Sequence, residues 1–297
     1  MAGGIAAIFS SGFLVITHLQ QERGVKAAEK SGEADAAGEG RAKREEEEKE
    51  QRAEGPPITS APGSPAYYAN RFAFPGRTTN LGAAASFVYG RQEYTDWFAA
   101  NKAEEVGVSA YRVTLSPLHE GTVVVQNMRV SDLRCKPTKY VGTAVVPPAI
   151  GDGGDGVEPV SVGFDLSAMS PQPRQIVSSG DRSKVPGKEI WGLGVNAFKK
   201  GIYLDGGEQS DARSFDLYFF TGRKDCTFGI EVNVTSGSKD AWYPVKLGGK
   251  SGGRGSVAGQ AERYQSVVLP TQGGGAQNEL KGEGNPFPAL ELEKGKF

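Results

Sequence analysis

The sequence predicts an all-β protein: a β-sandwich of Ig-like or Greek-key type that follows a single N-terminal transmembrane helix and a disordered linker. Three observations predict it. Apolar residues in the middle of the chain recur with a period of two, which is typical of strands with one buried face. Glycine supplies 42 of the 297 residues and separates these runs. An uncharged apolar run near the start is followed by a highly charged stretch.

The apolar run occupies residues 3–19 and reads GGIAAIFSSGFLVITHL. As a helix these residues rise about 25 Å, at the lower limit for crossing a hydrocarbon core of ~30 Å. We therefore expect residues 1–19 to form a transmembrane anchor, with the lipid bilayer as the partner of residues 3–19. A cleaved signal peptide is the weaker alternative, because no Lys or Arg precedes the run. The missing basic flank leads us to expect a true start upstream of Met1.

Residues 20–66 are predicted to form a disordered linker. Its middle, RAKREEEEKEQRAE, has no apolar face with which a helix could dock, and its end, GPPITSAPGSP, is broken by prolines. Residues 271–297 are rich in glycine, charge and proline, so we expect a disordered tail there.

Residues 67–270 are predicted to form the β-sandwich domain, with eight to ten short strands. One helix is expected around residues 94–105 (YTDWFAANKAEE). Turn residues separate the runs of alternating or continuous apolar residues. The clearest strand candidates are 111–115, 123–130, 160–166, 215–221, 227–234 and 264–269.

Cys135 and Cys226 are the two cysteines of the chain, and each lies at one end of a predicted strand. An even count outside the cytoplasm favours one disulfide, whereas two unrelated buried thiols are the alternative. A structural zinc site needs four Cys or His ligands, and the domain adds only His119 to the two cysteines.

The charges flanking the anchor bear on its orientation. Lys and Arg follow the run and none precedes it, so the positive-inside rule taken literally places the domain in the cytoplasm. A basic flank lost with the start would reverse that assignment. We expect the domain to be extracytoplasmic, with a cytoplasm-facing membrane adaptor as the alternative.

Motifs that suggest catalysis fail in their context. Gly249-Lys250-Ser251-Gly252-Gly253 fits the nucleophile pattern G-x-S-x-G, but no histidine follows it in the chain. Gly192-x-Gly194-x-x-Ala197 has the residue pattern of a dinucleotide-binding fingerprint. The residues that follow leave no room for the helix of the βαβ unit that this fingerprint requires. The sequence therefore predicts no enzyme, no catalytic residue and no cofactor.

Metal and nucleic-acid partners are also not predicted. Asp152 and Asp155, in GDGGDG, suit calcium chemically, but the motif is not repeated and no acidic residue stands at a matching later position. The formal net charge of −1 argues against a nucleic-acid partner, which usually requires a basic surplus.

Three tryptophans are candidates for stacking against a ligand. Trp97, Trp191 and Trp242 would form a sugar-binding platform if the fold placed them together, and packing in the core is the alternative. This pattern keeps a carbohydrate-binding or glycan-active surface protein as the second functional hypothesis, with a cell-wall glycan as partner.

Two short motifs follow one another in the predicted domain: Phe164-Asp165-Leu166 with Pro171 and Pro173, and later Cys226-x-Phe228. With the order of features above, they resemble a group of uncharacterised membrane-anchored proteins of Streptomyces and related actinobacteria. In that group a strand F-D-L-D-x-P-x-P precedes a late C-x-W segment. Here the first motif has an insertion before the prolines, and the second has Phe in place of Trp. The resemblance covers about residues 120–235 and implies an extracytoplasmic sandwich without assigning an activity.

These observations lead to one functional expectation. We expect a membrane-tethered, single-pass protein whose β-sandwich is a non-catalytic interaction or structural module at the cell surface, with a protein or a cell-wall glycan as its partner.

Overall fold

The computed structural model describes residues 43–44, 55–63, 71–78, 81, 92–145, 159–178, 191–198, 201–206, 211–248, 252–270, 278–281, 284 and 286. The chain divides into two units, Met1–Gly55 and Pro56–Phe297. Of the first unit, the structure describes Gly55 and two helical residues, Lys43 and Arg44. The anchor predicted at residues 3–19 lies outside the described residues. Within the described ranges, no helix has the length and apolar character needed to span a bilayer.

Strands dominate the described part of the second unit, so the all-β prediction is confirmed. In chain order the elements are β1 (Ile58–Pro62), β2 (Phe72–Ala73), α1 (Gln92–Ala100), β3 (Glu104–Glu105), β4 (Val108–Pro117), β5 (Thr122–Pro137), β6 (Thr143–Val145), β7 (Val160–Asp165), β8 (Arg174–Ser178), β9 (Trp191–Ala197), β10 (Ile202–Asp205), β11 (Arg213–Phe220), β12 (Lys224–Ser236), β13 (Lys239–Val245), β14 (Gly255–Val257), β15 (Ser266–Pro270) and β16 (Asn278–Lys281).

These strands form three sheets. The first sheet has the order β1-β4-β11-β7-β8-β9, and the second has the order β10-β5-β12-β13 with β14 also paired to β12. The third sheet has the order β16-β15-β6-β2-β3. Pairing is antiparallel except between β7 and β11 and between β6 and β15.

The first and second sheets share one hydrophobic core. Alternate residues of β11, such as Phe215 and Phe219, meet the inward residues of β12, such as Phe228 and Val232. The rings of Phe219 and Phe228 lie 4.1 Å apart between centroids and join the two sheets directly. Burying each large apolar side chain contributes roughly 1.5–3 kcal/mol, so this core is the main source of stability for both sheets.

The strand β5 contains two irregularities that keep its inward residues in the core. Its pairing with β12 shifts register between Asn233 and Val234 and again between Thr227 and Gly229. At each shift β5 has one residue more than β12, and at the second Asp132 adopts a φ of 47°. A β-bulge of this kind moves the alternation by one residue. As a result Val125 and Met128, three residues apart, are both buried in the core.

The two cysteines form a disulfide, as predicted. Cys135 of β5 lies directly opposite Cys226 of β12 in the strand register, and their Cα atoms are 4.2 Å apart. The bond therefore joins neighbouring strands of one sheet. It closes a loop over a sequence separation of 91 residues.

The helix α1 covers one face of the third sheet. Phe98 of α1 stacks on Phe72 of β2 with ring centroids 4.3 Å apart, and Trp97 meets Phe74 edge to face. Val145 and Val268 complete this smaller core. The opposite face of the sheet packs through Ala73, Ala144, Val267 and Tyr264.

The helix ends earlier than the sequence predicts. Lys102 adopts a positive φ of 65°, the Ala103 amide donates to the Phe98 carbonyl, and the Lys102 amide donates to the Ala99 carbonyl. These are the two hydrogen bonds of a Schellman cap, which satisfies the last carbonyls of a helix and reverses the chain. The segment predicted as helix around residues 94–105 is therefore a helix up to Ala100, and its last two residues form β3.

Two strands lie outside the predicted domain limits of 67–270. β1 falls in the predicted linker, where it pairs with the edge of β4 and buries Ile58 in the main core. β16 falls in the predicted tail and pairs with β15. Both are edge strands with a single neighbour in their sheet, so their strand conformation depends on that pairing. The partner of β1 is distant in sequence, whereas the partner of β16 is the strand that precedes it.

Removing the disulfide should destabilise the fold. In the chain-entropy model, closing a loop of this length lowers the entropy of the unfolded chain and raises its free energy by roughly 4–5 kcal/mol. The double variant Cys135→Ala/Cys226→Ala is expected to lose several kcal/mol of unfolding free energy, measured by urea denaturation. A reductant should destabilise the wild type to the same level and leave the double variant unchanged. Equal stability of the oxidised wild type and the variant would contradict the structural role of the bond.

Candidate functional site: the outer face of the second sheet

The second sheet has one face in the main core and one face turned away from it. In β12 the even-numbered residues from 226 to 234 are buried, whereas Glu231, Asn233 and Thr235 are more exposed. Their partners in register on β5 and β13, including Arg129 and Trp242, lie on the same side. We call this side the outer face. Its described residues include Tyr203, Val124, Gln126, Asn127, Arg129, Glu231, Asn233, Thr235, Asp240, Trp242 and Pro244.

An arginine is held in place at the centre of the outer face. The guanidinium of Arg129 lies 4.1 Å above the centroid of the Trp242 ring. Its Nε donates to Glu231 Oε2 at 2.7 Å. The strand register places Arg129 directly opposite Glu231, so the salt bridge needs no distortion of the backbone. Cation–π stacking and a charge-assisted hydrogen bond together orient a side chain that is still 51% exposed.

Amide side chains occupy the next row of the outer face. Asn233 is opposite Asn127 on β5 and opposite Trp242 on β13. Asn233 Nδ2 donates to Asp240 Oδ1 at 2.6 Å. Gln126 and Asn127 are both exposed, because the first bulge of β5 turns two successive side chains away from the core. Bulges often re-aim side chains in this way next to binding sites.

An exposed tyrosine stands at one edge of the outer face. Tyr203 of β10 is 67% exposed and pairs in register with Val124 of β5. Its neighbours in the strand, Ile202 and Leu204, turn toward the main core. Tyr203 therefore presents an aromatic ring on the same side as Trp242.

The structure distributes the three predicted stacking residues over three elements. Trp97 lies on α1 and is partly buried against Phe74 and Phe98. Trp191 is the first residue of β9, at the edge of the first sheet. Trp242 belongs to the outer face of the second sheet. The fold thus does not unite them in one platform, and Trp242 is the member that lies beside exposed polar groups.

Sequence reasoning missed Tyr203, Arg129 and Glu231 as site residues. Each lies in a segment whose alternation marks it as outward-facing, which is a signal of exposure and not of a site. Their grouping depends on the register of β10, β5 and β12, which the sequence does not display.

A second cluster of polar groups lies where the three sheets meet. The Tyr111 hydroxyl donates to the Ser256 carbonyl at 2.9 Å and accepts from the Ser256 amide at 2.8 Å. The Ser256 hydroxyl donates to Glu104 Oε1 at 2.7 Å. Tyr111, Ser256 and Glu104 belong to the first, second and third sheet respectively, and we call this group the three-sheet junction.

Next to the junction, Glu105 has an unusually high affinity for its proton, and its charge acts on Tyr111. Burial, followed by the charge of neighbouring Glu104, raises the pKa of Glu105 to about 8, although a hydrogen bond with the Ala110 backbone acts to lower it. Burial and the charges of Glu104 and Asp225 raise the pKa of Tyr140 to about 12. Shifted pKa values of this kind occur at catalytic sites, but also in structural networks. Here the hydrogen bonds of Tyr111 and Ser256 join strands to strands, so the junction serves the fold.

A histidine and a serine also meet, although they are 117 residues apart in sequence. His119 Nδ1 and Ser236 Oγ are 2.8 Å apart. The contact joins the β4–β5 turn to the end of β12.

The described residues contain no group of three or more His, Cys, Asp or Glu side chains placed to hold a metal ion. The calcium candidates Asp152 and Asp155 lie outside the described residues. The dinucleotide-like Gly192-x-Gly194-x-x-Ala197 lies within β9, so these glycines are part of a strand and not of a phosphate-binding turn.

The shifted pKa of Glu105 predicts a dependence of stability on pH. Between its ordinary value of 4.5 and about 8, the folded protein keeps a proton that the unfolded chain releases. Glu105 therefore lowers the unfolding free energy as pH rises through this window, by about 1.4 kcal/mol per pKa unit and a few kcal/mol at most. Relative to wild type, Glu105→Gln should gain stability between pH 5 and 8 in urea denaturation. Glu120→Gln, in an exposed turn, is the matched control and should follow the wild type. Parallel profiles for Glu105→Gln and wild type would contradict the assignment.

The outer face remains the group of side chains in the described structure that is both ordered and open to a partner. It combines an oriented arginine, two aromatic rings and several amide groups on a sheet that is anchored from behind by the main core. No protein-family model, no curated protein and no solved structure matches the chain.

Proposed function

We propose that the chain is a membrane-tethered, single-pass protein whose extracytoplasmic β-sandwich is a non-catalytic interaction module at the cell surface. The outer face of the second sheet carries this proposal. Its exposed side chains are held by contacts with one another, as Arg129 is by Trp242 and Glu231. Side chains oriented before a partner arrives lose less conformational freedom on binding.

The shared core of the first and second sheets supports the sandwich assignment. Inward residues of both sheets interdigitate, and the contact of Phe219 with Phe228 lies between them. Two packed sheets with mainly antiparallel pairing are the basis of Ig-like and Greek-key sandwiches.

The disulfide supports an extracytoplasmic location. Bonds such as Cys135–Cys226 persist in oxidising compartments, whereas the cytoplasm keeps thiols reduced. The apolar run at residues 3–19 supports the tether. A cytoplasm-facing adaptor, the weaker alternative, would carry both cysteines as free thiols.

A carbohydrate-binding or glycan-active surface protein is the second candidate function. The observation that favours it is the presence of Tyr203 and Trp242 on the same face of one sheet, with Asn127 and Asn233 between their strands. Aromatic rings and amide groups are the side chains with which proteins contact sugars.

The location can be tested with intact cells that express the full chain. Added protease should cleave the folded domain while a cytoplasmic control protein stays intact, and both should be cleaved after lysis. Alkylation of thiols before and after reduction should label Cys135 and Cys226 only in the reduced sample. Protection of the domain in intact cells, or free thiols without reductant, would overturn the extracytoplasmic assignment.

The interaction role can be tested by co-sedimentation of the full-length protein, in detergent micelles, with isolated cell-envelope fragments. Arg129→Glu should weaken binding several-fold, because it removes the stacked cation and places two like charges opposite each other. Met169→Ala, which removes a fully exposed side chain from the turn between β7 and β8, should bind like the wild type. Absence of wild-type binding, or equal binding by all three proteins, would contradict an interaction module that uses this face.

A further inference from the structure

We propose that the outer face of the second sheet binds a neutral polysaccharide, which lies across the strands from Tyr203 toward Trp242. This inference rests on the proposed interaction module and names its ligand class and contact residues. Tyr203 is assigned as the stacking residue, and Arg129 and Asn233 as hydrogen-bonding residues. Trp242 is assigned as the residue that holds Arg129 in position.

The dimensions of the outer face fit an extended chain. The strands run in the order β10-β5-β12-β13, and neighbouring strands lie about 4.8 Å apart. Tyr203 on β10 and Trp242 on β13 are thus separated by three strand spacings, or roughly 14 Å, across the strands, and by two residues, or roughly 7 Å, along them. A short oligosaccharide segment covers that distance, whereas a single small molecule does not.

The polar groups around these two rings suit a ligand made of hydroxyl groups. A sugar hydroxyl both donates and accepts hydrogen bonds, so its site needs donors and acceptors side by side. The guanidinium of Arg129 donates next to the accepting carboxylate of Glu231. The amide of Asn233, which can donate and accept, lies next to the carboxylate of Asp240. Gln126 and Asn127 add two exposed amides at the first bulge.

The charges of the outer face favour a neutral ligand. Arg129 is paired with Glu231, and Asp240 accepts a hydrogen bond from Asn233. An anionic polymer needs a surplus of cations, which the side chains around the two rings lack. The exposed Arg134 and Lys136 lie on the same face, but further along β5. An apolar peptide or helix needs a continuous hydrophobic groove, whereas the side chains between the two rings are mainly polar.

Tyr203 is the residue best placed to contact a sugar ring. It is 67% exposed on an edge strand, while its neighbours Ile202 and Leu204 fix the strand to the core. The Trp242 ring is half-buried, and Arg129 lies over it. The two aromatic residues therefore have different assigned roles, one in contact with the ligand and one in orienting the arginine.

The test uses affinity electrophoresis of the full-length protein in detergent, through gels that contain glycogen, hydroxyethylcellulose or a mixed-linkage β-glucan. At least one of these neutral polymers should retard the wild type. Tyr203→Ala should weaken that retardation by up to about tenfold, and Tyr203→Phe should retain it, because stacking needs the ring and not the hydroxyl. Arg129→Ala should also weaken it, whereas Met169→Ala should match the wild type. The anionic polymer alginate should not retard the wild type.

Three results would overturn the proposal: no retardation by any neutral polymer, retardation by alginate alone, or retardation that Tyr203→Ala and Arg129→Ala leave unchanged. Thermal unfolding of each variant verifies its fold, and Tyr203→Phe is a second variant with minimal change. Envelope co-sedimentation separates this inference from the interaction module. If the protein binds envelopes but no neutral polymer, the glycan assignment is wrong and the interaction module stands. If it binds neither, both are wrong.

Discussion

The hydrogen bonds among Tyr111, Ser256 and Glu104 are the constraint on which the arrangement of the three sheets depends. Each residue belongs to a different sheet, and Ser256 forms these bonds with its amide, its carbonyl and its hydroxyl group. In surroundings of low polarity, a donor or acceptor without a hydrogen-bond partner costs more free energy than a formed hydrogen bond contributes. The junction therefore favours one mutual position of the sheets, while apolar packing alone tolerates several.

The outer face is a consequence of the long pair formed by β5 and β12. Two bulges in β5 keep its apolar residues directed into the core over sixteen residues, and they leave Gln126 and Asn127 on the exposed side. The disulfide fixes the same pair at its other end. The features that secure the fold and those that display the polar side chains are thus built into one pair of strands.

Many of the longer strands were predictable from the sequence, whereas β9 and β13, with seven residues each, were not among the clearest candidates. β4, β7, β11, β12 and β15 coincide with apolar runs or alternations, and the change of phase between Val125 and Met128 is visible along β5. β2, β3, β6 and β14 have two or three residues each, too few to show alternation, and exist because they pair with distant strands. The disulfide followed from a count of two cysteines. The outer face did not, because it is defined by strand register and not by any local pattern.

The position of the disulfide also determines how the protein would respond to a pulling force along its chain. Cys135 and Cys226 divide the second unit so that β6 to β11 lie inside the covalent loop. A chain stretched from its ends can extend only the segments outside this loop. Since an extended residue spans about 3.4 Å, the disulfide shortens the fully extended chain by about 300 Å. This limits how far the chain can lengthen under tension before a covalent bond must break.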